Sequence, residues 1–357
     1  MRIEKNQYAI SDDVLNRIFD EPGFGKYYTD HMVQIDWTKS ESWHEARVQP
    51  YAPLSLDPAT SVMHYGQAIF EGLKAFRHPD GSVYAFRPDK NAERFMKSAI
   101  RLEMPVLPVD LFLDSLKSFL SVDGRWVSSK PEQSLYIRPF MIATEVGLGV
   151  RPSSQYSFFI IASPVGPYFP QGIKPVSVWI STDYVRAAPG GTGEAKCAGN
   201  YAASLIAQAQ AAEQGCDQVI WIDAIERKWI EEMGGMNLFF VYGNKIVTPR
   251  LTGTLLRGVT RDSILSLAGD LGYETDEVMI SVDELILDLQ SGVITEAFAC
   301  GTAAAITPIG TIKSEKGTWK VSNGEPGAIT LNLRETLIGI QTGAIADTHQ
   351  WMWKISE

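Results

Sequence analysis

The sequence predicts an α+β chain of two domains, and three observations carry that expectation. At 357 residues the chain is longer than one ordinary domain and long enough for roughly two. Strand-like and helix-like segments occur together up to residue 165 and again beyond residue 178. Between them, "SPVGPYFPQGIKP" (163–175) packs four prolines and two glycines into thirteen residues, a density that stops a helix and breaks a central strand. The expected division is a first α/β domain over 1–165, an interdomain loop over 166–178 and a second domain over 179–357.

In the first domain, "HMVQIDW" (31–37) and "VYAF" (83–86) read as strands. "KNAERFMKSAIRL" (90–102) instead sets Phe95, Ala99 and Leu102 on one helical face, and a second helix is expected over 110–120. "SLYIRPFMIA" and "QYSFFIIASPV" supply two further strands. Beyond the loop, a helix over 200–214 ends where Gly215 can serve as a cap. "QVIWID" and "MNLFFVYGNKIVTP" read as strands, the second a hairpin turning at Gly243 and Asn244. "TRDSILSLAGDL" and "SVDELILDL" are expected helices, opening on the capping residues Thr260 and Ser281. "ITEAFACGTAAAITPIGTI" returns to β-branched residues around a glycine and alanine turn.

Composition narrows the function. An apolar content of 45% with 21% charged residues is that of a folded chain, not a disordered one. The formal charge of -10 argues against duplex nucleic acid or an anionic membrane as partner, since both are held by Lys and Arg neutralising phosphates. A small-molecule partner is expected. Cys197, Cys216 and Cys300 show no zinc spacing and read as reduced thiols, and the five histidines are scattered, so no metal site is expected. The amino terminus is charged from its second residue, and apolar runs such as "FFIIA" are far too short to span a membrane, so cytoplasmic residence is the expectation.

Chemistry concentrates in "GGTGEAKCAGNYAAS" (190–204), where Lys196 stands among small residues just before a helix. A phosphate-binding P-loop needs Gly-Lys-Ser/Thr, but Ala195 precedes and Cys197 follows the lysine; lysine also replaces the third glycine of GxGxxG. A covalent partner for an aldehyde cofactor fits better. With an ordinary pKa near 10.4, roughly one lysine in a few thousand is neutral at pH 7, and burial among apolar neighbours raises that fraction. The small neighbours leave room for an aromatic ring.

Pyridoxal phosphate would further require an acid at the pyridinium nitrogen, a donor at the phenolic oxygen and an anion cradle. Glu232 in "IEEMGGMN" and Tyr201, five residues past Lys196, are candidates for the first two. The turns "RGVTRDS" (257–263) and "CGTAAA" (300–305) are candidates for the third, the first because it runs into a helix amino terminus. Taken singly, such a glutamate is more often solvated, such a tyrosine core, and such a turn only a turn. Their joint order is the signal.

Those residues, with "FGKYYTDHM", "HYGQAIFEGLKAF", "FRPDKNAERF", "SLYIRPF", "GPYFPQG", "KCAGNYAASL", "EEMGGMNLF", "GVTRDSIL" and "GTAAAITP", resemble the branched-chain amino-acid aminotransferases, pyridoxal-phosphate enzymes of fold type IV, over nearly the whole chain. The resemblance implies a small α/β domain and a larger pseudo-barrel domain that binds the cofactor. It implies amino transfer between leucine, isoleucine or valine and 2-oxoglutarate, in a homodimer at least. Another fold-type-IV activity, a D-amino-acid aminotransferase or an aminodeoxychorismate lyase, is the alternative.

Carried over by position, the resemblance makes Lys196 the covalent cofactor lysine and proton shuttle, Tyr201 the partner of the phenolic oxygen and Glu232 the partner of the pyridinium. Arg94, the backbone of Val259 and Thr260, and Thr302 would hold the phosphate. Phe24, Tyr65, Phe70 and Tyr168 would form apolar substrate walls. Tyr136, with the Thr302-Ala303 backbone, would face the α-carboxylate and Arg138 the distal carboxylate of glutamate, although alternation alone would turn Arg138 outward. Tyr65, Leu148 and Val150 match positions contributed across a subunit boundary. Two departures stand out: "AAAIT" occupies the place of a CxxC redox pair found in some relatives, and Gly235 replaces a threonine, which alters the expected pocket width.

Overall fold

The computed structural model describes residues 1–167 and 172–355. They form two compact units: 1–167 with 195–198 and 339–355, and 172–194 with 199–338. The division expected from sequence is linear, but two segments leave it. Ala195–Ala198 joins the first unit through a bridge between Ile69 and Cys197, and the carboxy-terminal strand Met352–Lys354 pairs antiparallel with Val83–Phe86. The segment expected as loop over 166–178 is also shorter at its end, because Val176–Ile180 is a strand.

The first unit is built on one twisted sheet. Its strands run in the order Arg2–Ile3, Ser42–Pro50, His31–Thr38, Gln155–Val165, Ser134–Ala143, Leu73–Arg77, Val83–Phe86 and Met352–Lys354, with Ala68–Phe70 added against Ser134–Ala143. Pro164 lies inside the strand Gln155–Val165 even though proline cannot donate to a ladder. It is tolerated because the pairing with His31–Thr38 ends at Ile160, leaving Pro164 opposite Leu135 alone.

The helices Pro88–Arg101 and Val109–Asp123 are long enough to bury a stripe of side chains against this sheet. The ring of Phe95 meets Phe112 at 5.8 Å and Phe158 of the sheet at 5.5 Å. The core continues through Phe119, Leu135, Ile137 and Ile160.

In the second unit, six strands close on themselves: Val176–Ile180, Gln218–Ile222, Ile230–Met233, Met236–Tyr242, Glu296–Gly301 and Ala305–Ser314, which pairs back to Val176–Ile180. Closure leaves this ring without an edge and fills it with Ile220, Leu238, Phe240, Ala299 and Ile309. The expected pseudo-barrel is this ring. The hairpin at Gly243 turns as expected, Gly243 taking φ +60, and the helix Ala198–Glu213 ends at Gly215 with φ +64. Ser281 caps the helix Val282–Ser291 in a box with Glu284. Thr260, however, is not a cap: the helix begins at Val259, behind Gly258, which has no side chain to offer.

Candidate active site

In the first unit, Lys196 is fixed by its backbone to two elements. Its N–H donates to Ser98 Oγ of the helix Pro88–Arg101 at 2.9 Å, and its carbonyl accepts from the N–H of Phe70 at 3.0 Å. The Nζ then lies 4.9 Å from the centre of the Phe70 ring. Burial, helped by Arg94 and Arg138 and opposed by Glu71 and Tyr136, pushes the amine down to about 8. The sequence-based expectation of a lysine with an enriched neutral form thus has a structural cause.

Arg138 also stands over Phe70, its guanidinium carbon 4.7 Å from the ring centre and its Nη2 donating to Tyr136 Oη at 3.0 Å. Alternation in Ser134–Ala143 leaves Tyr136 and Arg138 half-buried on the same face; Arg138 is not the outward-pointing edge residue that the pattern alone suggests. Its Nε is buried with no hydrogen-bond partner among the described residues. The ring of Phe24 lies 5.1 Å from that of Tyr136. Gly72 admits this arrangement, since a Cβ there would come within 2.2 Å of Tyr136 Oη.

Arg94 is buried, contrary to what an amphipathic surface helix would give. It grips Glu71 with two parallel bonds, Nε to Oε1 at 2.7 Å and Nη2 to Oε2 at 2.8 Å. Burial alone would push the Glu71 carboxyl up, but Arg94, Lys196 and Asn91 together hold it below its ordinary value.

In the second unit, Glu232 lies in Ile230–Met233 opposite Asn237, at 1% exposure. Its Oε1 accepts from the N–H of Leu256 at 2.6 Å and from Asn237 Nδ2 at 3.3 Å, and its Oε2 lies 2.9 Å from Arg186 Nε. Arg186 also donates to the carbonyls of Gly193 and Thr254. Burial pushes the neighbouring Glu231 carboxyl up. Glu232, Arg186, Tyr201, Gly235 and Leu256 line one cavity of about 180 Å³. A Cβ at Gly235 would stand 3.5 Å from Tyr201 Cε1, an ordinary contact, so any side chain there would narrow the space beside the tyrosine.

Val259 and Thr260 open their helix with both residues buried. Behind them Gly258 packs so closely on Asn237 that a Cβ would meet Asn237 Oδ1 at 2.1 Å. Thr302 and Ala303 are half-buried in the turn between Glu296–Gly301 and Ala305–Ser314, just past Cys300, which pairs in register with Asn237. The residues expected from sequence therefore fall into two groups, one in each unit. In the first unit Tyr65 donates its hydroxyl to the carbonyl of Leu148, and Leu148 and Val150 are exposed at 64% and 85%. Tyr168 lies outside the described residues.

Sequence reasoning missed Glu71, Arg186 and Asn237. A charged residue between Phe70 and Gly72, next to an apolar strand, is a signal for Glu71. Nothing in the sequence singles out Arg186 or Asn237, which matter only through what they touch. Among the described residues no helix is long and apolar enough to cross a membrane, and no cluster could hold a metal ion.

Residues 68–312 match the family described as amino-transferase class IV, and the chain belongs to that class. More narrowly, it is 59% identical over 353 residues to a probable branched-chain-amino-acid aminotransferase of Streptomyces coelicolor, covering 99% of this chain and 98% of the relative. The fold is similar to the crystal structure of Escherichia coli branched-chain amino acid aminotransferase, with a TM-score of 0.74 and 27% identity over 91% of this chain and 100% of that one. It is also similar to a T.th. branched-chain amino acid aminotransferase with pyridoxamine 5'-phosphate, with a TM-score of 0.71 and 26% identity over 90% of this chain and 98% of that one. Similarity of this extent places the chain among the branched-chain-amino-acid aminotransferases.

Proposed function

We propose that the protein transfers the amino group reversibly between branched-chain L-amino acids (leucine, isoleucine, valine) and 2-oxoglutarate, with pyridoxal 5'-phosphate as cofactor. The observation that carries this reading is Lys196, an amine pushed down to about 8 beside an aromatic ring and a buried arginine, in a chain of this family.

The residues fit the cofactor. Its aldehyde needs a lysine that is neutral in a useful fraction, and Lys196 is one. Its ring nitrogen needs an ionised carboxylate, and Glu232 receives two N–H donors beside a guanidinium. Its phosphate needs cationic and N–H donors: Arg94, Thr302 and the helix opening at Val259 and Thr260 are suited, the last because its cap Gly258 brings no side chain. Tyr201 beside Glu232 suits the phenolic oxygen.

When bound, the cofactor supplies a conjugated ring that draws electron density from the substrate α-carbon. Lys196 Nζ takes the proton from that carbon and returns it, a task for which a pKa near the working pH is best. Glu232 keeps the ring nitrogen protonated. Arg138, whose Nε is a buried donor, serves the distal carboxylate of glutamate, and Tyr136 with the backbone of Ala303 serves the α-carboxylate. Phe24, Tyr65, Phe70 and Tyr168 provide the apolar side, and Gly235 leaves room beside Tyr201. The exposure of Leu148 and Val150 supports their use against a second copy, so the protein works as a homodimer at least, and its three free cysteines suit the cytoplasm.

Borohydride reduction of the cofactor-loaded protein followed by peptide mapping should place the label on Lys196; a label elsewhere refutes the assignment. Turnover of L-leucine with 2-oxoglutarate is expected, and turnover of D-alanine alone would select the alternative fold-type-IV reading.

A further inference from the structure

Glu71 has no exposed surface, yet it carries a charge that none of the proposed roles uses. Hydrogen bonds hold it on every side: two from Arg94, one from Asn91 Nδ2 at 2.8 Å, one from the N–H of Gly72 at 3.2 Å, and its own N–H to the carbonyl of Pro139 at 2.7 Å. A buried ion pair is seldom the most stable choice, because desolvation offsets the attraction and well-packed apolar residues serve stability as well. The pair therefore calls for a reason other than stability.

The neighbours of Glu71 supply one. Phe70, one residue before it, donates its N–H to the Lys196 carbonyl and lays its ring against the Lys196 Nζ. Ser98, one helical turn past Arg94, donates its hydroxyl to the Arg94 carbonyl and accepts the Lys196 N–H. The carboxylate, the arginine and the lysine thus hang on the same strand end and the same helix.

We propose that Glu71 is a positioning residue: its carboxylate grips the Nε and Nη2 edge of Arg94, holding the guanidinium in one plane for the cofactor phosphate, and balances that positive charge beside Lys196. This rests on Lys196 and Arg94 serving the cofactor as proposed above. The two-point grip matters because a guanidinium on a long flexible stem otherwise samples many orientations, and fixing it before the anion arrives removes that ordering from the binding step. The charge balance has a direction. Burial lowers the Lys196 amine, Arg94 and Arg138 lower it further, and Glu71 and Tyr136 hold it up. Loss of the Glu71 charge leaves the amine facing Arg94 and Arg138 without that opposing charge.

The test uses the full chain stripped of cofactor, with Glu71→Gln and Glu71→Asp. Pyridoxal 5'-phosphate affinity is read by absorbance titration, and the rate of cofactor capture is followed against pH. Glu71→Gln is expected to weaken affinity roughly tenfold to a hundredfold, the range seen when partners that orient a binding group are removed. The midpoint of its capture profile should move to lower pH, and Glu71→Asp, which keeps the charge, should restore the parental midpoint at least in part. In an Arg94→Lys background, Glu71→Gln should add little further loss of affinity. A folded Glu71→Gln protein with parental affinity and midpoint overturns the inference, as does full additivity with Arg94→Lys. If Glu71→Gln does not fold, parental affinity and parental midpoint in Glu71→Asp overturn it instead. Borohydride labelling of the unsubstituted protein at Lys196 separates these outcomes from failure of the underlying functional reading.

Discussion

Replacing Lys196 by methionine should stabilise the cofactor-free protein at pH 7 while abolishing cofactor attachment. In the folded chain the amine is depressed from 10.5 to about 8; in the unfolded chain it regains its ordinary value. Below pH 8 both states carry the ammonium, and the folded state bears the full penalty of holding it. Between pH 8 and 10.5 the folded state sheds its proton first, so the unfolded state binds more protons and stability rises with pH. A depression from 10.5 to about 8, at about 1.36 kcal/mol per pKa unit, corresponds to ~3 kcal/mol. The gain on substitution should be of that size, about 3 kcal/mol, because the depressed value already includes the attraction of Glu71 for the cation. Denaturant unfolding at fixed protein concentration, at pH 7 and pH 10, measures it for both proteins, and all other titrating groups cancel in the difference. The substituted protein should be the more stable at pH 7, with most of its advantage lost by pH 10. An advantage that is equal at both pH values, or a Lys196→Met protein less stable at pH 7, would refute the reasoning.

Other consequences are as direct. Glu232→Gln should retain bound cofactor by absorbance yet lose roughly a hundredfold or more in kcat, the scale of a removed electrostatic partner. Gly72→Ala should raise KM for 2-oxoglutarate in steady-state assays, because the added Cβ would come within 2.2 Å of Tyr136 Oη and displace the hydroxyl that Arg138 contacts. Arg138→Met should raise KM for 2-oxoglutarate far more than for the apolar 2-oxo acids, which carry no distal carboxylate; equal effects on both would remove Arg138 from that role. Ser281→Ala should lose about 1 kcal/mol of unfolding free energy with activity unchanged, as it breaks the capping box with Glu284 and touches nothing in the proposed scheme.

Local sequence was enough for the strands Ser134–Ala143 and Gln155–Val165, the hairpin at Gly243 and the helix after Lys196, because each is written in periodicity and turn chemistry. The chemistry expected at Lys196 rests on a signal of the same local kind, a lysine among small residues with a carboxylate and a tyrosine at suitable spacing, which the resemblance makes specific. The pairing of charges belongs to the folded chain instead. Arg94 reads as a surface arginine until Glu71, twenty-three residues away, is found gripping it. Arg186 has no signature until its guanidinium meets Glu232. The closure of the six strands and the return of Met352–Lys354 to Val83–Phe86 likewise join residues far apart in the chain. Periodicity reports the environment of a residue relative to its own helix or strand. A buried charge depends on a partner brought by another element, so it becomes visible only once the chain has folded.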